Sequence, residues 1–344
     1  MALRVFEAGP ESAVAWDSFV ASQPDAAAYH AWQWREVMTR EFGCRAHYLA
    51  AMDGQGHWQG VLPLIRLTSR LFGDFLVSVP YFNYGGVLAG TTDSAATLLA
   101  EAAALATRLG VSHVEFRDRA PRDGWPVRTD KVAMVLDLAP TADDQMKAFG
   151  SKLRAQIRRP EREGALARHG GSELIPDFYR VFARNMRDLG TPVYAPSLFR
   201  RILEQLPRAA RVTVVYLGGV PVAAGFTVRH RDTVEIPWAS SLREWNRVGV
   251  NMQLYWSIIR DAIEAGATQF DFGRSTVDAG TYRFKAQWGA QPRQLHWHYW
   301  LKPGRSMPNL TPGSPRYALA IRAWQRLPVS IANFVGPRIV RHLP

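Results

Sequence analysis

The chain has 344 residues, 47% of them hydrophobic and 21% charged, with a formal net charge of +12. That composition excludes an intrinsically disordered protein, the length points to two domains, and the single Cys44 excludes an intramolecular disulfide and a multi-cysteine metal site. The opening MALRVFEAGPESAVAW lacks an apolar signal region and no run approaches the roughly 18–20 apolar residues of a span, so a cytoplasmic protein, soluble or peripheral on the inner membrane face, is expected.

In chain order, residues 11–42 carry helix-spaced apolar positions in two pieces, Glu11 to Val20 and Trp32 to Phe42, separated by Pro24. HYLAAMDGQGHWQGVLPLIRL then reads as strand, Asp-Gly-Gln-Gly turn, strand, a β-hairpin signal. FGDFLVSVPYFNYGGVLAG is a strand entering an aromatic loop, Ser94 to Leu109 an Ala/Leu-rich helix, and VSHVEFRDR a strand. MVLDLAP closes the first half near Pro140. The second half repeats the order: helices over Ala142–Glu163, Ile175–Met186 and Pro196–Leu206, three strands from Arg211 to Ser240, a helix over Asn251–Gly266, the strand TQFDFG and a final strand LHWHYWL. The repeated order predicts an internally duplicated α/β unit. Lys302 to Pro315 reads as a linker, leading to a last helix over Tyr317–Leu327.

Charge is unevenly spread. Asp278 is the last acidic residue, and the 66 residues from Ala279 to Pro344 contain ten Lys or Arg. An anionic partner is expected: phosphate, RNA or a membrane face. In the last helix Tyr317, Ile321 and Trp324 oppose Arg316, Arg322 and Arg326. Such a helix either lies on an anionic membrane or docks its apolar face on the protein body.

Phe270 to Ala290, FDFGRSTVDAGTYRFKAQWGA, holds the chemistry-bearing residues: a strand breaking into a loop with convergent polar groups. Lys285 there is one of only five lysines against 37 arginines. Its two readings are a placed ammonium and a solvent-facing lysine on a strand. Asp271, at the strand end, is a candidate for orienting an amine or taking its proton, Arg274 for holding a phosphate or carboxylate, and Tyr282 for donating a proton or packing. His296 and His298 face one side of a strand, but two ligands with no third at metal spacing predict no metal site.

Phe284-Lys285-Ala286-Gln287-Trp288-Gly289, preceded by Asp271-Phe272-Gly273, resembles the F-K-x-x-W/F-G element of the FemAB family, the peptidoglycan-bridge aminoacyl transferases. The basic helix KLRAQIRRPEREG, the loop PYFNYGGVLAG and the tail RLPVSIANFVGPRIVRHLP look like the FemAB-related proteins associated with exosortase/PEP-CTERM and exopolysaccharide loci. The resemblance implies an α/β fold of two tandem GNAT-like (acetyltransferase-like) domains with mixed central sheets, over 1–145 and 146–303, with a basic helical tail over 304–344. It implies transfer of an aminoacyl or acyl group to an amine of an envelope or exopolysaccharide-related precursor, small or lipid-linked, with Lys285 stabilising the oxyanion. The site would comprise Lys285, Asp271 and Tyr282 as catalytic residues, with no bound cofactor.

Substrate binding is assigned to Tyr81, Asn83, Tyr84, Gly85 and Gly86, whose glycines allow close backbone approach, with Arg274, Phe284 and Trp238. Lys152, Arg154, Arg158 and Arg159 form a candidate phosphate or RNA surface, tRNA included, with a solvated helix face as the alternative. The donor is open between aminoacyl-tRNA and acyl-CoA or acyl-carrier protein. Coenzyme A pyrophosphate binds a Q/R-x-x-G-x-G/A turn at a helix start; here the register Asn246-x-x-Gly249-x-Asn251 departs at both outer positions, and Asn251 reads as a helix N-cap. A non-catalytic GNAT-like module binding polysaccharide machinery or RNA is the remaining alternative.

Overall fold

The computed structural model describes residues 3–69, 73–308 and 315–343, the side chains of 315–317 excepted. In order, the chain forms β1 (Arg4–Glu7), α1 (Ala13–Ser22), α2 (Gln33–Phe42), β2 (Arg45–Met52), β3 (Trp58–Ser69), β4 (Gly73–Val77), β5 (Leu88–Ala89), α3 (Thr92–Leu109), β6 (His113–Asp118) and β7 (Val127–Arg128). There follow β8 (Val132–Asp137), α4 (Ala142–Ala148), α5 (Ser151–Arg162), β9 (Leu166–Gly170), α6 (Ile175–Leu189), α7 (Pro196–Gln205), β10 (Ala210–Leu217), β11 (Val220–His230) and β12 (Thr233–Ser241). The remainder comprises α8 (Val250–Glu264), β13 (Gln269–Ser275), α9 (Gly280–Ala286), β14 (Gln291–Gln294), β15 (His296–Leu301), α10 (Pro315–Gln325) and α11 (Val329–Val340).

One sheet runs β1-β2-β3-β4-β6-β15-β7, with β5 beside β3, and the other β9-β10-β11-β12-β13-β8-β14. Laid side by side, the two orders correspond strand for strand. Each has a parallel pair, β4 with β6 and β12 with β13, and each parallel step needs a crossover helix, here α3 and α8. Beside β6 and β13 lies an antiparallel strand taken from the other half of the chain, β15 and β8 respectively. The duplicated order expected from the sequence is present, with one strand exchanged in each direction.

That exchange corrects the boundaries read from sequence. The chain divides into Met1–Lys131, Gln294–Asn309 and His342–Pro344 as one unit, and Val132–Arg293 and Leu310–Arg341 as the other. Residues 132–145 therefore belong to the second unit, the strand LHWHYWL belongs to the first, and most of the tail belongs to the second. The helix expected over Ala142–Glu163 is broken at Phe149–Gly150, where Gly150 caps α5. Part of the linker read over Lys302–Pro315, residues 309–314, lies outside the described residues, as do the side chains of Arg316 and Tyr317.

Each unit has its own core. In the first, Leu98, Ala102 and Ala106 of α3 pack on Leu49, Leu62, Leu76, Val114 and Phe116 of the sheet. In the second, Leu254, Ile258, Ile259 and Ala262 of α8 pack on Val222, Ile236, Phe270 and Phe272. Helix-spaced and strand-alternating apolar positions meet across one interface in both.

Candidate active site

The parallel ladder between β12 and β13 is short. It pairs Thr233 with Gln269, Val234 with Phe270 and Glu235 with Asp271, and stops there, although β12 continues to Ser241 and β13 to Ser275. On its other side β13 pairs Asp271 with Val135 and then Arg274 with Ala133, so one extra residue is inserted at a bulge. Gly273 occupies it with φ 76°, a conformation that suits glycine. The Asp271 carboxylate pins the bulge by accepting from the Gly273 N–H at 2.7 Å.

The bulge turns two backbone carbonyls out of the ladder, and Lys285 takes both. Its Nζ donates to Gly273 O at 3.0 Å and to Arg274 O at 2.9 Å. Lys285 stands on α9 and is only 8% exposed, which overturns the reading of a solvent-facing lysine on a strand. Burial pushes its pKa down to about 8, against the opposing charges of Asp271 and Glu235, while Arg274 lowers it further. An ammonium has three N–H donors, and two of them are engaged by these carbonyls.

Glu235 is the site residue that sequence reasoning missed. It is buried, lies in register with Asp271 where the two strands part, and supports the ammonium electrostatically. The available signal was a lone carboxylate inside the apolar run Val234-Glu235-Ile236, since buried acids are rare unless paired. Among the predicted residues, Lys285 and Asp271 are brought together, with the exposed Arg274 beside them. Tyr282 and Phe284 are half-buried and pack against the second core; Phe284 meets Tyr255 edge-on at 5.1 Å. Trp238 lies in an aromatic cluster with Phe226, Phe199 and Tyr194, a packing position.

The basic helix α5 divides its charges. Arg154 donates to Lys147 O and Phe149 O, closing the end of α4, and Arg159 pairs with Glu163 at 2.8 Å. Lys152 and Arg158 are exposed. Asn251 is not the N-cap of α8; Gly249 is, with φ 85°. The start of α8 is covered by α5: a side chain at Gly249 would touch Pro160 and Gln156, and Gln253 Nε2 donates to Glu161 Oε1 at 3.2 Å.

The Tyr81–Gly86 loop belongs to the first unit and is held from below. Arg117 donates to Phe82 O at 2.6 Å, Trp297 Nε1 to Asn83 O at 3.3 Å, and His30 Nε2 bonds Gly86 O at 3.0 Å. Asp118 accepts from the Val87 N–H and bonds His298 Nδ1 at 3.0 Å, while His298 Nε2 accepts from the Arg122 N–H, which fixes its tautomer. Glu115 is buried; that alone would raise its pKa, but Arg117 and the Tyr299 hydroxyl hold it below the usual carboxylate range. Val79 and Tyr81 both have positive φ, strain that such a network sustains. A cavity of about 770 Å³ opens beside the loop, lined by Tyr84, Gly86, Thr91, Arg119, Arg122 and Trp125 among others.

Gly86 serves this network directly, because a Cβ there would overlap Asp118 Oδ1. Gly86→Ala is expected to cost about 2 kcal/mol of stability, the usual penalty of overpacking a buried site, read as a lower urea midpoint at unchanged slope.

Residues 147–286 match the family model described as an acetyltransferase (GNAT) domain. Among solved structures, one described as FemX superposes with a TM-score of 0.68 at 14% identity, over 92% of this chain and 100% of that one. The C-terminal domain (DUF2156) of a putative lysylphosphatidylglycerol synthetase from Agrobacterium fabrum gives 0.56 at 13% identity, over 84% and 92% of the two chains. A tandem GNAT protein from the clavulanic acid biosynthesis pathway gives 0.54 at 14% identity, over 89% and 100%. No curated protein sequence matches the chain. Fold and domain match define the class: two GNAT-like units in tandem, the second containing the stretch that matches the acetyltransferase (GNAT) domain model. The tandem fold expected from the sequence is met.

Proposed function

We propose that the protein transfers an aminoacyl or acyl group onto an amine of a cell-envelope precursor, using Lys285 in its second unit. The observation that carries this is the buried Lys285 ammonium, fixed by two backbone carbonyls at the place where β12 and β13 part. When an amine attacks an acyl carbonyl, negative charge grows on oxygen, and a preorganised donor in a desolvated site stabilises it. Asp271 and Glu235 keep the lysine charged, and Asp271 or the substrate itself accepts the amine's proton. Collapse of the tetrahedral intermediate breaks the donor's acyl–oxygen (or, for a thioester, acyl–sulfur) bond, and the leaving atom takes up that proton. The solved structures named FemX and lysylphosphatidylglycerol synthetase support an amino-acid donor and an envelope acceptor. An exopolysaccharide-related acceptor rests on the sequence resemblance to proteins of exosortase loci. The cavity beside the 81–86 loop is the candidate acceptor site, and the exposed Lys152 and Arg158 are candidates for meeting tRNA phosphates. The test is incubation with aminoacyl-tRNA and an envelope-precursor extract of the native host, followed by mass spectrometry. An amide product formed by wild type and absent with Lys285→Ala is expected; product formation independent of Lys285 would remove it from the mechanism.

Against a coenzyme A donor stands the start of α8, where Pro160 of α5 lies within van der Waals reach of Gly249 and the Glu161 carboxylate lies near the turn that would hold a pyrophosphate. Calorimetry with acetyl-CoA is expected to give no saturable heat. Tight binding would favour an acyl-CoA-dependent N-acyltransferase instead. For a non-catalytic module, Lys285 and Asp271 substitutions would leave cellular function intact.

A further inference from the structure

The two C-terminal helices are docked on the second unit and still present a second apolar face. Both lie against α6. Ile321 of α10 closes on Gly190, the C-cap of α6, and the Trp324 indole nitrogen is buried. Arg187 Nη1 donates to Leu327 O at 2.8 Å, and Gln325 Nε2 to Asp188 O at 3.2 Å. In α11, Ala332, Gly336 and Val340, at i, i+4 and i+8, are buried on one face. Gly336 meets the Val193 backbone so closely that a Cβ would overlap it. The α11 helix is absent from the sequence expectation and carries Pro337 within it.

The opposite faces are open. Leu319 is 75% exposed, Phe334 66% and Ile331 45%, while Ile339, at the edge of the buried stripe, is 37% exposed. Leu319, Arg322 and Arg326 recur at i, i+3 and i+7, and so do Ile331, Phe334 and Arg338. Each trio forms one stripe on its helix. The Arg338 guanidinium lies 4.0 Å from the Phe334 ring centre. No acidic residue follows Asp278, so nothing in these helices neutralises the arginines.

Exposed aliphatic and aromatic side chains beside arginines, with no acids, match an anionic lipid headgroup layer. The apolar groups enter the acyl boundary and the guanidiniums meet phosphates. An RNA would engage the arginines and leave Leu319 and Ile331 in water. The need to cover an apolar face against the protein body is already met by the buried sides of both helices. We infer that the outer faces of α10 and α11 are a docking surface for an anionic phospholipid bilayer, independent of the reaction proposed above.

The test is flotation of the full chain with vesicles of phosphatidylcholine alone or mixed with phosphatidylglycerol, at low and high salt. Binding to the anionic vesicles is expected, weakening with salt, and falling about tenfold in the double variant Ile331→Ser with Phe334→Ser, at unchanged circular dichroism. Val14→Ser, which removes a residue 80% exposed in the first unit, is expected to bind like wild type. Absence of flotation with anionic vesicles at low salt would overturn the inference. Full binding by the double variant would do the same, as would RNA binding lost in Arg322→Gln with Arg326→Gln while vesicles are left unbound.

Discussion

Lys285→Ala is expected to lower kcat for amide formation by about 10²–10³-fold, the usual loss when one oxyanion donor is removed. Its partners make this more than an average lysine deletion: the ammonium is 8% exposed and its direction is fixed by Gly273 O and Arg274 O. The rate should also carry a pH signature. Lys285 titrates at about 8, and only its charged form stabilises an oxyanion, so activity should fall as pH rises through about 8. Lys285→Arg stays protonated throughout, so that falling limb should vanish whatever activity is left. A limb that persists in Lys285→Arg belongs to another group.

The same shift has a consequence for stability. Folding lowers the lysine from 10.5 to about 8, so the folded chain binds fewer protons than the unfolded one between those values, and stability rises with pH across that window. Below pH 8 the cost of burying the ammonium is fully present, about 3 kcal/mol.

Asp271→Ala is expected to cost about 3 kcal/mol at neutral pH. It orphans the buried Gly273 N–H and takes an anion away from a buried cation, and each loss is expensive on its own. Asp271→Asn retains an acceptor for that N–H and should lose less, measured as urea midpoints. In both variants the ammonium has lost an anion that favours it, so the falling limb of the pH profile should move below 8. Glu235→Gln should move it the same way by less, since Asp271 is the larger of the two influences. Unchanged midpoints in both Asp271 variants would mean that the carboxylate does not hold the bulge.

Much of the second unit was legible. Gly-Gly between apolar runs marked the β10–β11 turn, and FDF at the strand end marked β13. Lys285 and Asp271 were found because a rare lysine and a strand-end carboxylate share one short segment. Glu235 was not, because it lies 36 positions before Asp271 and only the parallel pairing joins them. Over Tyr282 to Lys285 the sequence predicts loop and strand. These residues lie in α9, seven residues long, too short for helical periodicity to show. Tyr81–Gly86 looked like a ligand wall from its aromatics and glycines. That Gly86 is also required by Asp118, which stands 32 positions further along the chain, is visible only in the structure.

By itself, the sequence determined the α/β class, the repeated order of elements, the acid-free C-terminal segment and the identity of the lysine. All of these follow from local spacing or from counting charges. The tertiary structure decided that β8 and β15 are exchanged between the sheets, that Lys285 is buried against two bulge carbonyls, and that the tail docks by one face while exposing another. Each of those depends on which strand completes which ladder and on what covers a given side chain. Such pairings join residues far apart in the chain, and no periodicity within a short window records them.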